Sequence, residues 1–353
     1  MGVVNNDLCK TVQYNLSAFI AGNPSEKITQ KGLLDLLTSP LNKPITPEID
    51  SISRDRNGNT VLRARYWQGF AEGSASPSLV DVCTPGTPFD PRSQDYTIAQ
   101  TASKGISISI EDFRNYCEGR SEVISKYMLD AMDKVREKKS LMLGASIASL
   151  VLPYSTSLRA GVPVDSNAAP ASVKFFENAA TGQISPLGIL DVTNEFEEAD
   201  FDGAPLLVGR GLLRNYAKLA QIACCNDWGQ DVGEMGDGAG GDFMYFIDRN
   251  LPTTLGNANA FLALRPGWFQ QWTQPRYTGQ YEIFTSEYDY NTTMIDPRNG
   301  ERFDVQSRLS SCDFGQIDIV VSQNFDLFSV PDDIYDAADP LSTYRGSVQF
   351  IAI

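Results

Sequence analysis

Between Ser121 and Leu152, apolar residues recur at Ile124, Tyr127, Met128, Ala131, Met132 and Val135. That spacing belongs to one face of an α-helix rather than to a strand. Glu122/Lys126 and Asp130/Lys134 are acid-before-base pairs four apart, which add modest helix support. Pro153 ends the run, because proline lacks an N–H and clashes with the preceding turn. About 32 residues at 1.5 Å each make a rod of roughly 48 Å, far longer than a usual helix of about 11–12 residues. Its halves differ. Ser121–Lys139 is amphipathic and charged and is expected on a surface. Ser140–Leu152 is almost wholly apolar and small and is expected to be buried. An apolar run of about 13 residues is too short for a membrane span, which takes about 20.

The rest of the pattern is mostly short and strand-like. Thr29–Thr38 offers one short amphipathic helix among Pro24, Pro40, Pro44 and Pro47, so residues 1–50 read as an arm ordered by a partner surface. Asn59–Phe70 alternates Val61, Arg63, Arg65 and Trp67 against Leu62, Ala64 and Tyr66, behind an Asn57-Gly58 turn signal. Lys104–Ile110 alternates isoleucines with serines. With a Pro/Ser/Gly-rich loop over 73–93 between them, these stretches predict a two-stranded ribbon, lying on its own domain or on a neighbouring subunit. Ser109-x-x-Asp112 resembles a capping box that opens a turn through Cys117. Val173–Phe176 and Pro205–Val208 read as strands, and Pro186–Phe201 and Leu212–Cys225 as helices, an order pointing to a small mixed α/β domain. Further strands are predicted at Tyr245–Ile247, Phe261–Leu264, Tyr281–Tyr288 and Met294–Val305, the last with a hairpin turn at Asp296–Gly300. Gln316–Ser322 and Gly346–Ile353 complete the set, with a short helix expected at Trp268–Trp272. The terminal Phe350, Ile351 and Ile353 tie the chain end into a sheet.

Composition restricts the chemistry. There are 353 residues, a formal net charge of −15 and no histidine. The charge argues against a surface that grips nucleic acid. The missing histidine removes the Ser-His-Asp triad, the Cys-His pair and His-containing zinc sites. Six scattered cysteines form no C-x-x-C and are expected to be reduced and buried. No secretory signal opens the chain. The acidic glycine loop (Asp227, Asp231, Glu234, Asp237, Asp242) lacks the spacing of a calcium loop. Glu195, Glu197 and Glu198 could supply a carboxylate pair for hydrolysis, but such residues more often form a wet helix face. Gly144–Ala148 approaches a nucleophile elbow, yet it lies inside the helix with no histidine to activate Ser146. No catalytic residue, metal or cofactor is expected.

The layout resembles the major capsid proteins of tailed bacteriophages, the Hong Kong 97-type shell fold. The likeness lies in organisation over the whole chain. The nearest local text is Asp191–Gly211 running into Leu212–Cys225, and Phe246–Leu264. The resemblance implies an α+β fold with an N-terminal arm (1–50), an extended β-ribbon loop (51–111), and the spine helix with the first part of a discontinuous peripheral domain (112–185). An axial domain (186–285) and the second peripheral part (286–353) complete it. It implies hexamers and pentamers enclosing double-stranded DNA without sequence-specific binding, in a virion assembled in the host cytoplasm. Portal, scaffold and cementing or decoration proteins are the implied partners, with no membrane. Inter-subunit contacts are expected at Arg54, Arg56, Arg63, Arg65 and Trp67, the arginines meeting carboxylates of a neighbour. Gly233, Gly236, Asp237 and Gly238 are expected in a capsomer-centre loop, and Gly144 in tight packing of the spine helix against the peripheral sheet. No lysine lies between Lys43 and Lys104, so a covalent crosslink from the ribbon tip, known in some members, is not expected. An encapsulin-type compartment and a carboxylate-based hydrolase are the alternatives.

Overall fold

The computed structural model of the chain describes residues 32–42, 48–56, 59–67, 91–111, 121–150, 164–165, 172–175, 177–178, 183–184, 205–210, 244–255, 260–275, 290–310, 315–330 and 347–352. In chain order the elements are α1 (Gly32–Thr38), β1 (Glu48–Arg54), β2 (Thr60–Trp67), β3 (Pro91–Ile98), β4 (Gln100–Ser109) and α2 (Ser121–Leu150). Then come β5 (Val164–Asp165), β6 (Ser172–Phe175), β7 (Glu177–Asn178), β8 (Gln183–Ile184), β9 (Leu206–Gly209), β10 (Met244–Ile247) and α3 (Leu251–Thr254). The last are β11 (Ala260–Leu264), β12 (Phe269–Gln274), β13 (Tyr290–Ile295), β14 (Arg302–Leu309), β15 (Gln316–Ser329) and β16 (Ser347–Ala352). The chain divides into two compact units. One gathers Met1–Gln30, Ile98–Ser140 and Trp272–Asp326; the other gathers Lys31–Thr97, Leu141–Gln271 and Leu327–Ile353.

In the first unit β4, β15, β14 and β13 form an antiparallel sheet. Successive strand side chains point to opposite faces, and β15 follows this from Ile317 to Phe325: Ile317, Ile319, Val321, Gln323 and Phe325 are buried and the residues between them are not. Phe303 and Val305 of β14 join that core, with Met128, Leu129, Ala131, Met132 and Val135 of α2. The β13–β14 hairpin turns through Asp296–Gly300, where Gly300 takes a φ of +76°, open to glycine at little cost.

In the second unit the six-stranded sheet runs β10-β9-β11-β16-β6-β5 and mixes parallel with antiparallel pairs. β9 and β11 are buried at every position, as unbroken apolar runs must be when both faces are covered. As the terminal apolar residues predict, β16 is tied into this sheet. Helix α1 buries Leu33, Leu34, Leu36 and Leu37 within this unit, so this stretch of the expected arm is seated on its own chain. Both of its ends are fastened. The Asp248 carboxylate accepts N–H bonds from Leu33 (3.2 Å), Asn250 (2.8 Å) and Leu251 (3.0 Å). Beyond the other end, the Asn42 amide donates to the carbonyls of Leu37 (3.3 Å) and Phe269 (2.9 Å) and accepts from Gly267 N–H (2.7 Å).

Several expectations need correction. The ribbon is not the pair predicted. β2 lies between β1 and β3 in a three-stranded sheet, while β4 pairs with β15 over ten residues. Glu48–Arg54, with its polar serines, Asp50 and Arg54, shows no clean alternation, yet Asp55 and Asn59 close a hairpin with β2 through three hydrogen bonds. Within β2 the alternation itself holds: Leu62, Ala64 and Tyr66 are buried, Arg63 and Arg65 exposed. Trp268–Trp272 is not helical. A turn at Arg265–Trp268, with Gly267 at φ +80°, leads directly into β12. The division of the long helix is also inverted in part. The charged front buries an apolar stripe and two cations, while Tyr127 is 55% exposed; the apolar rear leaves Leu141, Ala145, Ser149 and Leu150 exposed. The expected elements Pro186–Phe201, Leu212–Cys225 and Tyr281–Tyr288, the loop 226–243 and the turn through Cys117 lie outside the described residues.

Gly144 is buried, but its neighbours are side chains of two short helices rather than a sheet. A Cβ there would meet Leu251 Cδ1 at 3.6 Å and Leu33 Cδ2 at 3.7 Å, ordinary contact distances. A glycine that admits no side chain is Gly32, where a Cβ would fall 2.0 Å from the Ile247 carbonyl oxygen; at Gly209 a Cβ would likewise fall 2.7 Å from Phe261 Cβ. Gly144→Ala is therefore expected to be neutral or to stabilise by about 0.5–1 kcal/mol through helix propensity. Gly144→Leu should overpack and cost about 1–3 kcal/mol. Gly32→Ala, against immovable backbone, should cost more than Gly144→Ala in every case. Urea unfolding of the three variants checks this ordering, and a Gly144→Ala chain that loses stability contradicts it.

Candidate functional site

The apolar stripe of α2 does not stop at its last apolar residue. Four residues after Met132 and Val135, the same face presents Arg136 and Lys139, and both are buried, Lys139 completely. A buried cation requires a hydrogen-bonded counter-charge, and the Asp296–Gly300 turn supplies it. The Arg136 guanidinium donates through Nε to Glu301 Oε2 (2.7 Å), through Nη1 to Asp133 Oδ1 (2.9 Å), and through Nη2 to Asp296 Oδ2 and to Asn299 Oδ1 (3.2 Å). Lys139 Nζ donates to Glu301 Oε1 at 2.8 Å, and Gln323 Nε2 reaches the same oxygen at 2.9 Å. Arg298 completes the cluster, donating to both oxygens of Asp133 (3.0 and 2.7 Å) and to Asp296. Three cations thus meet three carboxylates with no net charge. The rings of Phe303 and Phe325 lie 5.1 Å from the Arg136 guanidinium carbon and 5.8 Å from Lys139 Nζ.

The turn is shaped to hold its acids in place. Asp296 N–H donates to Glu301 O (2.8 Å), Gly300 N–H to Asp296 O (2.8 Å), and Arg298 N–H to Asp296 Oδ1 (2.9 Å). Burial works to raise the Glu301 carboxyl, but Lys139 and Arg136 outweigh it and hold it at about 2. Burial likewise opposes ionisation of Asp296, and Arg298 and Arg136 overcome it, so that this carboxyl also lies below its ordinary value. Lys139 is shifted down by burial, against the pull of Glu301. Chemically the arrangement is a fastening: it ties one helix face to one hairpin turn.

In the sequence Asp296 and Arg298 read only as parts of a turn, and the other four charged residues carry no motif. The available signal was a pair of cations continuing a helical apolar stripe, together with acids bracketing a turn.

The surface residues expected to make contacts fare differently. Arg63 is already engaged within its own chain, by a two-pronged pair to Asp95 of β3 (2.7 and 2.9 Å). Arg65 is exposed and in register with Glu48. Arg54 and Arg56 are exposed at the β1–β2 hairpin, near the exposed Ile52. Trp67 ends β2, and its side chain lies outside the described residues, as do Gly233, Gly236, Asp237 and Gly238. Among the described residues no group of three metal-ligating side chains occurs, and no helix is long and apolar enough to cross a membrane.

No protein-family profile matches the chain, and no curated relative does. Among solved structures, the chain is similar to a capsid asymmetric unit of cyanophage A-1(L), at 10% identity and a TM-score of 0.47, covering 93% of each chain. A structure from Mycobacterium phage Che8 is similar at 11% identity and a TM-score of 0.43, over 87% of this chain and 94% of that one. A virus-like particle from Pyrococcus furiosus is similar at 11% identity and a TM-score of 0.42, over 97% and 98%.

Two outcomes follow for the cluster. Arg136→Met leaves buried carboxylates unpaired and should cost about 3–5 kcal/mol in urea unfolding. Glu301, with a folded value near 2 against an ordinary 4.5, contributes stability that is fully present above about pH 4.5 and is lost as pH falls toward 2. The loss is on the order of 3 kcal/mol. Glu301→Gln should flatten that acid limb of the stability profile; an unchanged limb would mean that another carboxylate carries it.

Proposed function

We propose that this chain is the major capsid protein of a tailed bacteriophage, built on the Hong Kong 97-type shell fold. One observation carries the reading. The 30-residue helix α2 belongs to both compact units, Ser121–Ser140 to one and Leu141–Leu150 to the other. A helix of that length suits a load-bearing subunit of a shell. The buried ion cluster is the kind of fastening that such a load-bearing helix requires. The proposed domain division starts from the one expected above (arm 1–50, extended loop 51–111, spine and first peripheral part 112–185, axial domain 186–285, second peripheral part 286–353), with β4 joined to the sheet of β13–β15 and with β6 and β16 joined to that of β9–β11.

In this role the chain assembles into hexamers and pentamers that enclose double-stranded DNA in the virion, in the host cytoplasm, with no catalytic function. A net charge of −15 keeps the wall from trapping the packaged genome, since like charges repel over about 8–10 Å at physiological salt. Portal, scaffold and cementing or decoration proteins are its partners. The loop holding Gly233, Gly236, Asp237 and Gly238 lies near the capsomer centre. The exposed Arg54 and Arg56, with Arg65 and Trp67, meet a neighbouring subunit; Arg63, tied to Asp95, contributes a neutralised pair.

Electron microscopy of the purified 38.8 kDa chain tests the proposal: closed shells or capsomers are expected, and a monomer at every concentration and salt would defeat it. Shells that never contain DNA in infected cells would favour a protein-holding compartment instead. Reversing Arg54 and Arg56 to glutamate should abolish assembly and leave the monomer's unfolding curve unchanged. Normal shells from that variant would rule out the arginine contact.

A further inference from the structure

The Asn299-Gly300 pair stands at the exposed rim of the ion cluster, and the chain has only one other Asn-Gly, at Asn57-Gly58. In such a pair the glycine nitrogen can attack the asparagine side chain, since no Cβ stands in its way. The Gly300 nitrogen bonds to Asn299 Cγ, the Cγ–Nδ2 bond breaks, and ammonia leaves carrying the proton from Gly300. One water then opens the cyclic imide to aspartate or isoaspartate. No oxidant or cofactor is needed, and Asn299 and Gly300 are exposed to the water that is.

In the closed cluster the attacking nitrogen and both heteroatoms of the amide are hydrogen-bonded. Gly300 N–H is donated to Asp296 O at 2.8 Å. Asn299 Oδ1 accepts from Arg136 Nη2 (3.2 Å) and from Glu301 N–H (3.0 Å), and its Nδ2 donates to Glu301 Oε2 (3.3 Å). Crowding plays no part, since a Cβ at Gly300 would meet nothing within 4 Å. The hydrogen bonds engage both the amide and the glycine nitrogen that would attack it. The reaction would also change what the cluster can do. Asn299 is the one neutral side chain that gives a hydrogen bond to Glu301 and takes one from Arg136. As an aspartate it loses the donor, faces Glu301 with a like charge, and turns a balanced set of three cations and three carboxylates into an acidic one.

We propose that Asn299 is a latent deamidation site gated by the ion cluster, so that a reversible opening of the clamp between α2 and the β13–β14 turn is made irreversible by chemistry. Closed, the clamp protects the amide; opened for long enough, it is converted and cannot close with its original pairing.

The test incubates the full chain at mildly alkaline pH and follows amide-to-acid conversion at Asn299 and Asn57 by peptide mass spectrometry. It does so in native buffer, in urea below the unfolding transition, and fully unfolded. In the unfolded chain both sites should convert at comparable rates. On folding, Asn299 should slow by more than about tenfold, because only the opened fraction reacts. The rate should rise in sub-denaturing urea and in Glu301→Gln. Separately, Asn299→Asp should lower the unfolding midpoint more than Asn299→Ser, which removes the amide without adding charge. Equal conversion of Asn299 in folded and unfolded chains would overturn the gate. An Asn299→Asp variant as stable as Asn299→Ser would overturn the lock. If Glu301→Gln does not fold, the urea series on the unaltered chain decides the gate alone.

Discussion

A guanidinium ion that is almost wholly buried governs the first compact unit. Arg136 has given up its solvation to lie among Asp133, Asp296, Asn299 and Glu301, with the Phe303 ring beside it. A buried ion pair is a weak source of net stability, because desolvation consumes most of its Coulomb energy. What it provides is intolerance of error. A helix packed by apolar contacts alone can slide by a residue at modest cost. A helix carrying a buried fork of donors cannot, since any slip leaves charges unpaired in a dry site. The register of α2 against the hairpin turn is therefore fixed far more sharply than Met128, Met132 and Val135 could fix it.

The second unit solves a similar problem with neutral backbone. Helix α1 is too short to be stable alone, and its leucines could pack in more than one rotation. Asp248 catches its first turn, Asn42 holds the chain beyond its last, and Gly32 lets its backbone approach Ile247 as no other residue would allow. Each device acts on peptide groups, so the position is set by main-chain geometry and is insensitive to which leucine leads.

Much of this was legible beforehand, and the reasons differ by element. The long helix declared itself by periodicity over many turns. β2, β9, β11, β14 and β15 did so by alternation or by unbroken apolar runs, and the Asp296–Gly300 turn by its residue types. Pairing was not legible. Lys104–Ile110 reads as a strand in any context, and nothing in it says that its partner is Ile317 rather than Leu62, because isoleucine and valine rows are interchangeable as neighbours. The cluster was hidden for a related reason. Charges on a helix are usually wet, and Arg136 is told apart from Lys134 only by which way it points once the helix is docked. Gly144 drew notice by lying in a small-residue run, yet close approach is a property of the opposite surface; Gly32, before a leucine-rich turn, carried no such mark.

The place of β16 has a bearing on how the protein is made. Residues 347–352 are an interior strand of their sheet, between β11 and β6, which are themselves far earlier in the chain. During synthesis the sheet stands with a gap in its middle until that segment emerges from the ribosome. Pairings over such distances form late and slowly. A nascent or prematurely terminated chain therefore cannot complete its second unit, and the surfaces that depend on it are withheld until translation has passed Ala352. Completion of this sheet is thereby coupled to the last of its strands to be made.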